Sequence, residues 1–149
     1  MNNMTNEQEE QALKSERAYI DANVFIYSII NEDNVGEKAR NTLEKIKNGE
    51  YLGFTATLTI DEILWALHKE LDKDKTIEIA KGFINMQNLE FINVDLEIIK
   101  KSLENYHKSL KPRDSIHIAS MQSKNIKTII SSDPDFDKIK EIKRIDFTK

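Results

Sequence analysis

Ala18-Tyr19-Ile20-Asp21-Ala22-Asn23 is an apolar run that ends abruptly in an acid, and an amphipathic segment from Val24 to Ile30 follows it. A strand that stops on Asp and hands over to a helix puts a carboxylate at the strand's carboxyl end, where open α/β sheets hold their ligands. The same event recurs near the other terminus, where Thr128-Ile129-Ile130-Ser131-Ser132 reads as a strand and Asp133 closes it. If the two strands are parallel neighbours, acids from distant parts of the chain meet at one rim.

Working outward, Asp33 or Asn34 caps a helix with Val35, Ala39, Leu43 and Ile46 at helical spacing, ended by Asn48-Gly49. Tyr51 to Thr55 is a short strand whose Gly53 signals close packing or a bend. Thr57 or Thr59 caps the next helix, with an apolar stripe of Ile60, Ile63, Leu64, Leu67 and Leu71. A helix with Ile77, Ala80, Phe83 and Ile84 follows, then a strand, Leu89 to Ile92. Asp95 caps a long helix with Leu96, Ile99, Leu103, Tyr106 and Leu110 spaced by threes and fours. Pro112 opens another helix, and a last short strand lies around Arg144–Phe147. Strands alternate with helices, which predicts one α/β domain over 17–149 with a mainly parallel, helix-covered sheet.

Bulk properties narrow the function. The chain has 149 residues, 39% hydrophobic and 32% charged, with net charge −4. That acidity provides no global field for nucleic acid, although it allows a local basic patch. With no cysteine, disulfides, thiolate metal sites and cysteine nucleophiles are excluded. No apolar run approaches the roughly 20 residues of a membrane span, so a membrane partner is not expected and a cytoplasmic home is permitted. Residues 1–16 are polar and acidic, and read as a tail, disordered or loosely helical.

The acids carry the functional signal. Taken alone, Asp21 reads first as a helix N-cap, and Asn23 shares that ambiguity. Glu62 lies nearly opposite the stripe of its helix, so core packing does not explain it. Asp114 sits in a first helical turn, where the dipole favours an acid, and His117 faces the same way. In Ser132-Asp133-Pro134-Asp135-Phe136-Asp137, three acids fall within five positions and repel unless a cation offsets them. Asp21, Glu62, Asp114 and Asp133 each lie at a strand end or a helix start. Oxygen donors without cysteine describe a hard-cation site for Mg²⁺ or Mn²⁺, with Asp135 as a further donor. Such a site suits phosphodiester hydrolysis.

Four segments in order resemble the PIN-domain ribonucleases, including the toxins of VapBC-type toxin–antitoxin pairs. Asp21-Ala22-Asn23 is similar to that family's opening D-x-N, and Thr57 to Ile63 to its helix with the second acid, Glu62. Arg113-Asp114-Ser115-Ile116-His117-Ile118-Ala119 resembles its R-D-x-x-H-x-A, and Ser131 to Phe136 its closing motif. The resemblance implies a five-stranded parallel sheet in the order 3-2-1-4-5, flanked by helices in a three-layer α/β/α sandwich. It further implies a metal-dependent acidic pocket, cleavage of RNA, a homodimer and, for a toxin, a cognate antitoxin. RNA is then expected to meet Asn23 and Ser132, with Lys111, Arg113, Lys38 and Arg40 beside the acids. Which of Asp133, Asp135 and Asp137 serves is left open, with Asp133 preferred. An Asp21-nucleophile phosphatase is the weaker alternative, since Asn23 replaces the second Asp such enzymes use. A non-catalytic PIN-like module that binds RNA or protein is another.

Overall fold

The computed structural model describes residues 5–149 of the chain. Of the stretch read as a tail, residues 1–4 lie outside the described residues, and helix α1 spans Asn6–Lys14. After it come β1 (Glu16–Ile20), α2 (Ala22–Ile30), α3 (Asn34–Lys47), β2 (Tyr51–Ala56) and α4 (Thr57–Leu67). Next come α5 (Lys73–Ile84), β3 (Leu89–Ile92), α6 (Leu96–His107), α7 (Pro112–Ser123) and β4 (Thr128–Ile130). A 3-10 turn, Pro134–Lys138, leads to β5 (Lys143–Ile145). The five strands form one sheet in the order β3-β2-β1-β4-β5, and every pairing is parallel.

Side-chain alternation along β1 builds two cores. Ala18 and Ile20 face one side with Phe25, Leu43, Ile46, Ile63, Leu67 and Phe83, beneath α2 to α5. Tyr19 faces the other with Phe54, Ile98, Ile118, Met121 and Ile129, beneath α6 and α7. Burial on both faces is the condition under which short strands lose their polar alternation. Strand β1 is the central strand, registered through Tyr19 with Phe54 of β2 and Ile129 of β4.

Asp33, Asp72 and Asp95 cap α3, α5 and α6 by accepting from the backbone N–H three residues on. The cap of α4 differs from the sequence expectation. Ala56 holds that position without a side-chain bond, because Thr57 Oγ1 accepts from Val94 N–H and Thr59 Oγ1 bonds Thr55 Oγ1. Gly53 serves close packing, since a Cβ there would lie 3.1 Å from Ile46 and 3.2 Å from Leu89.

Helix α6 is turned from its expected face. Leu96, Leu103 and Tyr106 are exposed, whereas Ile98, Ser102 and Asn105 are buried. The reason lies in the partner helix: Asn105 Nδ2 donates to Ser115 O and to Gln122 Oε1 of α7, and that polar anchor fixes the inward face. Leu64 and Trp65 of α4 and Ile77 and Ile84 of α5 are also exposed, while Ala39, Leu43 and Ile46 of α3 are buried. No helix among the described residues is long and apolar enough to cross a membrane.

Two glycines provide a test of this packing. A Cβ on Gly36 would sit 1.8 Å from the Asn31 carbonyl oxygen, so backbone must move to admit it. Gly36→Ala is expected to destabilise by about 1–3 kcal/mol, as overpacking does. Gly82→Ala, on the exposed side of α5 with nothing within 4 Å, is expected to stabilise by about 0.4–1 kcal/mol. Urea denaturation of both variants checks the pair.

Candidate active site

Asp21 stands where β1 ends and α2 begins, and it is buried. Its Oδ1 accepts from Ala22 N–H at 2.7 Å, the cap foreseen for it. Its Oδ2 accepts from the Ser131 hydroxyl at 2.5 Å. Ser131 directly follows β4, and its Oγ also accepts from Asp133 N–H at 3.0 Å. One buried hydroxyl thus ties the two strand-end acids together. Beside them Asn23 Nδ2 donates to Ser132 Oγ at 2.8 Å.

The third acid comes from α7. Pro112 at the helix start places Asp114 in the first turn, against the loop after β4. Carboxylate oxygens of Asp114, Asp133 and Asp135 lie within 4.8 Å of one another. Asp133 Oδ1 accepts from Asp135 N–H at 2.9 Å, which folds the loop over itself. Asp137 is turned away: Arg144 donates to both its oxygens at 2.9 and 3.0 Å, and reaches Asp146 and the Ser131 carbonyl as well. Arg144 thus engages Asp137, while Asp133 and Asp135 remain grouped with Asp114.

Glu62 approaches from α4. Its Oε1 meets His117 Nε2 at 2.5 Å, and its charge reaches Asp21. His117 is fully buried and its Nδ1 is bonded to the Tyr19 hydroxyl, so neither ring nitrogen is free to ligate. Lys38 and Arg40, expected as RNA contacts, are instead committed to backbone carbonyls. Lys38 donates to Thr148, and Arg40 to Ser28 and Asn31 where α2 ends. Lys111 Nζ lies 3.4 Å from Asp135 Oδ2, Lys138 Nζ lies 3.5 Å from its Oδ1, and Arg113 is exposed.

Crowding shows in the acid–base chemistry. Burial raises the Asp21 carboxyl above its ordinary value, against the pull of His117 and the Ser131 bond. Burial likewise pushes Asp114 up to about 6, with the charges of Asp133 and Asp21 adding to it. For His117, burial alone would lower the pKa, but the Glu62 bond and charge outweigh it and the imidazole is raised. At Asp135 the desolvation that raises its carboxyl is outweighed by Lys111 and Lys138, and the net direction is down.

These residues fit a divalent cation. Asn23 Oδ1 and Asp114 Oδ2 are buried with no hydrogen-bond partner, a state that costs free energy unless something meets them. All the carboxylate donors are hard oxygens, the set that Mg²⁺ and Mn²⁺ take. Sequence reasoning missed Tyr19 and Arg144. Tyr19 carried a faint signal, a polar-tipped ring two residues before Asp21 on a buried strand, and Arg144 carried none.

The pattern that defines the PIN domain matches residues 18–142. Ribonuclease VapC2 of Methanocaldococcus jannaschii is 26% identical, over 91% of this chain and 93% of that protein. Among solved structures, VapC20 of Mycobacterium tuberculosis, described as a sarcin-ricin loop cleaving toxin, superposes with a TM-score of 0.67 at 13% identity, over 80% of this chain and 92% of that one. VapBC2 of Rickettsia felis, bound to a DNA fragment from its promoter, gives a TM-score of 0.66 at 16% identity, over 87% and 97%.

The raised Asp114 carboxyl has a measurable sign. A carboxyl held above its unfolded value makes the folded state the stronger proton binder. That stability is whole below the unfolded pKa and is lost as pH rises through about 6. In chelator, Asp114→Asn is therefore expected to raise the melting temperature at pH 7.5 by about 2–4 °C, the effect of about 1 kcal/mol in a chain of this size. The gain should shrink as pH falls through about 6 and vanish only below the ordinary carboxyl value of 3.8. A lowered melting temperature at pH 7.5 would mean that the helix dipole, not the crowding, dominates at this position.

Proposed function

The chain belongs to the PIN-domain family, and from that premise we propose that it is a divalent-metal-dependent endoribonuclease, a toxin of the VapC kind that hydrolyses RNA phosphodiester bonds. The observation that carries the reading is the oxygen-only cluster of Asp114, Asp133 and Asp135, with Asp114 Oδ2 buried and unpartnered beside Asp21. Asp21, Glu62, Asp114, Asp133 and Asp135 would hold Mg²⁺ or Mn²⁺. Such an ion supplies a water of lowered pKa and Lewis acidity toward phosphoryl oxygens.

The chain's own residues have the remaining work. Asn23, oriented by its bond to Ser132, keeps its carboxamide oxygen buried and unpartnered, where it would accept from a water. Lys111 and Arg113, exposed just before Asp114, contact the phosphates. Lys111 exchanges the carboxylate of Asp135 for one. A net charge of −4 leaves no general field for RNA, so affinity rests on these cations and on metal bridging.

Likeness to a protein named Ribonuclease VapC2 and to a sarcin-ricin loop cleaving toxin supports RNA as the substrate. Likeness to VapBC complexes supports a cognate antitoxin. Exposed Trp65, Ile77, Ile84, Leu96, Leu103 and Tyr106 supply apolar surface for that partner and for a homodimer. A cytoplasmic place of action accords with the absence of cysteine.

Cleavage of labelled single-stranded and hairpin RNA in Mn²⁺ or Mg²⁺, and its loss in chelator, tests the reading. Asp114→Asn is expected to lower the rate at least about 100-fold, beyond the ~10–100-fold that losing an outer-shell partner costs. RNA should still be retained at low salt. Replacing Lys111 and Arg113 by Ala should instead weaken binding and reduce the salt slope by about 0.7 for each phosphate no longer neutralised. Cleavage by Asp114→Asn at the wild-type rate would place the active site elsewhere.

A further inference from the structure

His117 and Tyr19 supply no ligand to the acidic cluster, yet both are fully buried beside it. An imidazole and a phenol in a core cost desolvation unless each polar atom finds a partner, and here each does. His117 Nε2 meets Glu62 Oε1 at 2.5 Å, and His117 Nδ1 meets the Tyr19 hydroxyl at 2.5 Å. The Tyr19 oxygen accepts from Ala56 N–H at 3.0 Å. With Nε2–H donating to the carboxylate, Nδ1 accepts from Tyr19 O–H, and the donors run in one direction from backbone to Glu62.

The path crosses the sheet. Ala56 is the N-cap of α4, the helix that carries Glu62. Tyr19 belongs to the central strand, two residues before Asp21, and His117 belongs to α7, three residues after Asp114. The position of the Glu62 carboxylate is thus referred to the elements that carry the other acids. Tyr19 and His117 also meet edge to face, with ring centroids 5.6 Å apart, so packing as well as hydrogen bonding holds the pair. Among the described residues, Glu62 has no other hydrogen bond, although its side chain is only 20% exposed.

We propose that His117, locked by Tyr19, is a positioning residue that holds Glu62 Oε1 and so presents Oε2 to the divalent cation of the acidic pocket. This rests on the reading of Glu62 as part of the metal site. Outer-shell partners of this sort orient first-shell ligands and set metal affinity.

Mn²⁺ titration of the full chain by calorimetry, with melting temperature as the check on folding, tests it. His117→Leu is expected to weaken Mn²⁺ about 10–100-fold, and Tyr19→Phe to weaken it in the same direction by less. His117→Gln, which keeps an N–H for Glu62, should recover most of the loss. The double variant Glu62→Gln with His117→Leu should bind no worse than Glu62→Gln alone, because both act through one carboxylate. A histidine that merely fills the core would give additive losses. If His117→Leu does not fold, Tyr19→Phe takes its place in the cycle, since it deletes a single oxygen. Wild-type affinity in the strut variants, or additive losses, would overturn the positioning role while leaving the metal site intact. Unchanged Mn²⁺ affinity in Glu62→Gln, or no Mn²⁺ binding by the wild type, would overturn both.

Discussion

Mutual repulsion of carboxylates is the constraint on which this structure depends. A parallel sheet delivers every strand end to the same rim, and acids gather there: Asp21 after β1, Asp133 after β4 and Asp114 in the first turn of α7, with Glu62 reaching in from the second turn of α4. Left alone, such a gathering would push the rim apart or keep its acids protonated. The fold answers with local donors. Ala22 N–H and the Ser131 hydroxyl meet Asp21, Asp135 N–H meets Asp133, and the ammonium groups of Lys111 and Lys138 meet Asp135. What remains unanswered is Asp114, whose carboxyl is driven up to about 6 and whose Oδ2 has no partner. That residual crowding of charge is what the proposed cation would relieve.

The loop after β4 shows how closely paired and clustered charges can be interleaved. Asp133, Asp135 and Asp137 are separated by single residues, yet they have different fates. Arg144 of β5 grips Asp137 and Asp146 and donates to the Ser131 carbonyl, which steadies the residue whose hydroxyl holds Asp21. The guanidinium matches a carboxylate with two parallel bonds, and a lysine would not provide that fork. An ion pair of this sort matters here for where it puts the backbone more than for the energy it adds.

Both sides of the sheet are needed to build the rim. Glu62 comes from the layer of α2 to α5 and Asp114 from the layer of α6 and α7, and the imidazole of His117 spans from one to the other beneath the strand ends. Helix α6 takes part by fixing α7 through Asn105, at the cost of leaving Leu96, Leu103 and Tyr106 in water.

Much was legible in the sequence because it is local. Strand Ala18–Ile20 ending on Asp21, caps at Asp33 and Asp95, and Pro112 opening α7 follow from backbone sterics and near-neighbour hydrogen bonds. The alternation of strands and helices gave the architecture. The four ordered motifs indicated which acids to watch and, through their family, the strand order. Other features had no local cause. Periodicity assigned Leu96, Leu103 and Tyr106 to the core of α6, but a spiral of side chains has two candidate faces when a polar one can be satisfied by a neighbour, and Asn105 found Gln122 only through the packing of α7. Lys38 and Arg40 stood near Asp21 along the chain, yet carbonyls at the end of α2 and at Thr148 claimed them. The pairing of Asp137 waited on Arg144, and the bonding of His117 waited on Tyr19, ninety-eight residues away. The chain alone determined which groups are present and where each element starts and stops. Tertiary structure decided which of those groups meet, because a hydrogen bond or ion pair between distant residues depends on the packing of whole elements, which no local stretch encodes.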